Sequence, residues 1–141
     1  MDQVIALLRV YGYVGTLPFV LLALVGLLAD GAPLLWRAAF DTYSALILSF
    51  MAGVCWSVCL RSDTPVDVSR LMAGCITVTL VAWIALAFPP ALRALTYLVG
   101  FGVLYGIDRF VLGDVWPLRY VQIRRNLTLI VVTTQFAVML T

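Results

Sequence analysis

Five apolar stretches, separated by short breaks rich in charge, glycine or proline, decide what this chain can fold into. They run roughly over Tyr11–Ala29, Asp41–Leu60, Arg70–Phe88, Ala91–Ile107 and Tyr120–Leu140. A helix needs about 20 largely apolar residues to cross the hydrocarbon core of a bilayer. The breaks, "DGAPLLWRAAF", "RSDTPVDVS", "PP" and "DRFVLGDVWPLR", hold the usual punctuation between helices. The pattern predicts an all-α bundle of five transmembrane helices, a single domain over residues 1–141.

Composition rules out the alternative of a water-soluble domain. Of the 141 residues 64% are hydrophobic and only 11% charged. Soluble domains carry about 25% charge, and one of this size leaves much of its surface in water. The cations are all Arg and the anions all Asp, with no Lys, Glu or His.

Arg placement in short loops sets orientation. The side shared by the N-terminus, the second-to-third loop and the fourth-to-fifth loop holds Arg9, Arg61, Arg70, Arg109, Arg119, Arg124 and Arg125. The opposite side holds Arg37 and Arg93. The N-terminus is therefore expected in the cytoplasm and the C-terminus outside. Trp36, Trp56, Trp83 and Trp116 fall near helix ends, as an aromatic belt requires. The first ten residues lack a basic cluster and a small-residue cleavage site, so the first helix reads as a retained span. A bacterial inner membrane is the simplest location.

Pro18 sits inside the first stretch, after Gly12 and Gly15. A helix starting only at Leu17 would reach about 20 Å at about 1.5 Å per residue, too short to cross. The better reading is one helix from about Val4 or Leu8, kinked at Gly15–Pro18, with the kink against the small-residue face of the second helix. That face comprises Ala45, Ser49, Gly53 and Ser57, each four residues apart, and Gly102 and Gly106 form a GxxxG pair on the fourth helix. Small faces let helices approach closely in lipid, either inside the bundle or against another protein. Asp41 and Ser69 are expected to cap the second and third helices. Arg93, one turn into the fourth, must snorkel outward, or the helix must run on past Asp108 toward Val111.

Polar features are few. Asp108, Arg109, Arg124 and Arg125 are expected to form an ion-pair cluster at the cytoplasmic edge, with Asp63 and Asp67 nearby. Gln135 lies deep in the fifth helix and needs a partner. Met51, Cys55 and Cys59 share a face, with Met72 and Cys75 at the same end. Soft sulfur ligands suit Cu(I), but three Cys without His fit no familiar spacing, and packing is the simpler role. Catalysis by Ser–His or Cys–His is excluded, no glycine-rich phosphate loop is present, and basic residues at membrane edges make no nucleic-acid platform. No metal or cofactor is expected.

The segments "GYVGTLPFVLLAL", "YSALILSFMAGVCWS", "WIALAFPP", "LYGIDR" and "WPLRYVQIRRNLTLIVV" together resemble one family. It is a group of small five-pass membrane proteins, bacterial and mitochondrial, with a domain of unknown function, which includes transmembrane protein 69. The resemblance covers nearly the whole chain and implies its topology, with no activity. In the family the residue before the Trp of the second helix is often basic; here it is Cys55.

These readings lead to a non-enzymatic membrane protein, an accessory, scaffold or assembly subunit of a larger membrane complex. The family's bacterial and mitochondrial spread points to a bioenergetic one. The alternatives are a small oligomeric transporter or channel, and a lipid- or quinone-binding protein using the Arg-rich edge. Expected partners are membrane lipids and other membrane subunits or further copies of the chain, and not nucleic acid.

Overall fold

The computed structural model describes residues 2–29, 34–60 and 66–140. Among these residues every regular element is helical: α1 (Asp2–Leu28), α2 (Leu34–Cys59), α3 (Val68–Ile84), α4 (Pro90–Gly106) and α5 (Leu118–Met139). A 3₁₀ turn at Ala85–Ala87 follows α3, and a π turn at Ile107–Val111 continues α4. Four helical stretches are long and apolar enough to cross a membrane: Gln3–Leu28, Leu35–Cys59, Val68–Ala87 and Pro90–Val111. The chain is thus an all-helical membrane protein. The fifth helix, α5, is less apolar, because it carries Arg124, Arg125, Asn126 and Gln135.

Several boundaries differ from the sequence expectation, each for an identifiable reason. Helix α1 starts at Asp2, nine residues before Tyr11 and close to the Val4 start of the longer helix expected, and runs unbroken through Pro18. Helix α2 starts at Leu34, seven residues before Asp41. Asp41 is therefore no cap. It is buried inside the helix, where cationic partners from α2 and α4 neutralise it. Asp67, not Ser69, caps α3: its Oδ1 accepts from the backbone N–H of Arg70 at 3.2 Å. Pro89 and Pro90 close the α3–α4 hairpin, with Pro90 as the first residue of α4, where a missing N–H costs no helical bond. Arg61 and Asp63 lie outside the described residues.

The helices in close contact are α1 with α2 and α5, α2 with α3 and α4, and α4 with α3 and α5. Aromatic edges join the centre. Phe19 of α1 meets Phe40 at 5.7 Å, Tyr43 at 5.0 Å and Phe101 at 6.0 Å, all edge-on. Such pairs add about 0.5–1.5 kcal/mol beyond the area they bury. Tyr43 also donates its hydroxyl to the carbonyl of Gly15 at 2.8 Å. The Gly15–Pro18 segment thus meets Tyr43 of α2, and not the small-residue face expected. Proline cannot bond the carbonyl one turn back, and the nearby polar contact comes from a tyrosine.

Glycines at other positions make the close approaches. A Cβ on Gly26 would enter the ring of Trp36, one on Gly100 would lie 2.6 Å from Leu48 Cδ2, and one on Gly12 would lie 2.7 Å from Leu127 Cδ1. By contrast, Gly53, Gly102 and Gly106 have open space before them, and Ser57 is exposed. Only Ala45 of the expected small-residue set is buried, and Ser49 is half-buried. Gly26→Val should therefore destabilise the bundle by about 1–3 kcal/mol through overpacking. Gly53→Val should leave stability of the purified chain nearly unchanged. Unfolding in mixed detergent micelles measures both.

Candidate functional site

A membrane interior tolerates charge only when it is paired or hydrated. Here the interior holds two buried charge pairs, one near each end of the bundle. A helical face of α2 runs between them: Arg37, Asp41, Ser44, Leu48, Met51 and Cys55 recur every three or four residues. Helix α4 contributes one member to each pair, Arg93 near its start and Asp108 in its terminal π turn.

At the first end, Arg93 Nη1 donates to Asp41 Oδ2 at 2.6 Å. Arg93 Nε and Nη2 reach back to the Phe88 carbonyl at 3.2 and 2.8 Å. That carbonyl lies just outside α4 beside two prolines, so the turn itself offers it no donor. Arg93 points inward, contrary to the expected snorkel, because Asp41 waits one helix away. Arg37 Nε lies 3.8 Å from the same Asp41 oxygen, while Arg37 Nη1 donates to the Val138 carbonyl of α5 at 2.9 Å. One turn deeper, Gln135 Nε2 donates to Ser44 Oγ at 2.5 Å, and Ser44 Oγ donates to the Phe40 carbonyl at 2.8 Å. The deep Gln135 thus finds an interhelical partner.

At the second end, Arg124 of α5 places Nε and Nη2 at 2.6 and 2.5 Å from Asp108 Oδ2. Its Nη1 donates to the thioether of Met51. Of the expected four-residue cluster only Asp108 and Arg124 come together. Arg109 and Arg125 are exposed, and Arg109 stands over the Phe110 ring at 5.8 Å. The helix running on to Val111 buries Asp108 while its neighbours face out. Trp116 stacks obliquely on Tyr120, ring centroids 4.7 Å apart.

The sulfur face contributes to the second charge pair. Met51 serves as the hydrogen-bond acceptor for Arg124. Cys55, Cys59 and Cys75 are free thiols, two of them buried. Among the described residues no three His, Cys, Asp or Glu side chains converge on a metal position.

On the outer surface an apolar groove of about 340 Å³ runs between α3 and α4, floored by Leu48 and Gly100. Its hydroxyls, Thr77 and Thr96, donate to their own helices at Ala73 and Leu92. The groove therefore shows almost wholly aliphatic surface to its surroundings.

Sequence reasoning missed Asp41, Arg93 and Ser44 as a group. The signal available was two opposite charges, each sitting at the end of an apolar run and forced by lipid to seek a partner.

Removing one partner of a buried pair strands the other charge. Arg124→Met should destabilise the bundle by about 3–5 kcal/mol, while Arg124→Met combined with Asp108→Leu should recover most of that loss. Micelle unfolding of the two single variants and the double variant measures this. A double variant as unstable as the worse single one would contradict the pairing.

Comparison with known proteins adds one identification. Neither a curated protein nor a solved structure matches the chain. A family match spans residues 4–140, nearly the full length. The chain belongs to the family described as "Protein of unknown function (DUF3429)".

Proposed function

We propose that this chain is a non-catalytic protein of a bacterial inner membrane, crossing it five times with the N-terminus in the cytoplasm. Its role is that of an accessory, scaffold or assembly subunit of a larger, bioenergetic membrane complex. The observation that carries this reading is the outward turn of the small residues. Gly53 and Ser57 on α2 and Gly102 on α4 face away from the bundle with open space before the glycines. Internal packing uses Gly12, Gly26 and Gly100 instead. In lipid, small outward residues allow another helix to approach closely, and that approach replaces the hydrophobic drive available in water.

The Ser44–Gln135 bridge favours a second reading, a small oligomeric transporter or channel. Interhelical hydrogen bonds of this kind hold ordinary bundles together as well, so the outward face weighs more.

Native-gel migration after mild detergent extraction, with mass spectrometry of the band, separates the two. The accessory reading predicts co-migration with a respiratory or photosynthetic complex, lost in the Gly53→Leu/Ser57→Leu variant while the variant still inserts. A wild-type band at monomer or small homo-oligomer mass would overturn it and move the weight to transport, tested by liposome flux.

A further inference from the structure

The polar groups facing one another across α2 and α5 leave hydrogen-bonding capacity open in a complementary way. Gln135 commits its amide N–H to Ser44 and keeps Oε1 without a donor. Asp41 receives Arg93 on Oδ2 and keeps Oδ1 without a donor. Arg37 gives Nη1 to the Val138 carbonyl and keeps Nε without a hydrogen-bonded acceptor. Asp41 and Gln135 are 1% and 0% exposed. The Arg37–Val138 and Ser44–Gln135 bonds form two rungs between the antiparallel helices, and Asp41 stands between these rungs on α2.

Such a set selects its occupant. A cation is disfavoured, because two guanidinium groups already flank Asp41 at 2.6 and 3.8 Å. An anion is disfavoured, because the open valences on Asp41 and Gln135 are acceptors. Two acceptors and one donor match a small neutral molecule with two donor hydrogens and a lone pair. Buried water commonly makes about three bonds to groups of this kind. We propose that a water molecule bridges Asp41 Oδ1, Gln135 Oε1 and Arg37 Nε, making this end of the bundle a hydrated site within the membrane. Its entry is the end where Arg37 and Arg93 remain about one-fifth exposed, 22% and 19%. Leu48, one turn deeper on α2 and fully buried, marks its inner limit.

Water-edited solid-state NMR of the full-length, ¹³C-labelled protein in liposomes tests this. Magnetisation from water should build up at Gln135 and Asp41 as fast as at the exposed Gln3 and Gln122, and several-fold faster than at Leu48. In Gln135→Leu, or in Gln135→Met should the leucine variant fail to insert, transfer to Asp41 should fall several-fold. Build-up at Gln135 as slow as at Leu48 would overturn the site. Unchanged transfer to Asp41 in the variant would overturn the bridge.

Discussion

Pairing of charge inside lipid is the constraint on which the rest of this structure depends. An arginine or aspartate inside a membrane bundle is costly unless an opposite charge meets it. Helix α4 carries one of each, Arg93 near its start and Asp108 at its end, and so is tied to α2 at one end and to α5 at the other. Those two ties account for features that look unrelated along the chain. Helix α2 can run seven residues past what would be a charged boundary. Helix α4 can continue through a π turn to bring Asp108 inward. Helix α5 can bring Arg124 inside. Pairs of this kind add little stability over apolar replacements, so their contribution here is read as fixing which helices meet and in what register.

The number and approximate place of the helices were legible because apolar runs of membrane length have few other solutions. Their starts were less legible. Asp41 looks like a boundary in sequence, since a charge beside an apolar run normally marks the end of lipid. Only the position of Arg93, fifty-two residues away, makes it an interior residue. Asp108–Arg124 was readable because both lie near one short connection. Arg109 and Arg125 share that stretch but not its inward face.

Small residues illustrate a second limit. The four-residue spacing of Ala45, Ser49, Gly53 and Ser57 defines a stripe, but spacing alone does not say which way it faces. The direction depends on large partners elsewhere in the chain. Trp36 takes the space at Gly26, Leu48 that at Gly100 and Leu127 that at Gly12. With the interior contacts assigned to these glycines, only Gly53 and Ser57 of the α2 stripe are left for the surroundings, while Ala45 is buried. The interior contacts therefore account for the packing of the helices, and Gly53, Ser57 and Gly102 remain on the outer face.

The proposed fifth crossing rests on one pairing: Asp108 neutralises Arg124 inside the bundle, which would let α5 cross the membrane along with the four more apolar helices. The most direct test is the side on which each terminus lies, read with reporter fusions at both ends in cells. The account predicts opposite sides, with the N-terminus in the cytoplasm. Termini on the same side would mean an even number of crossings and would contradict it.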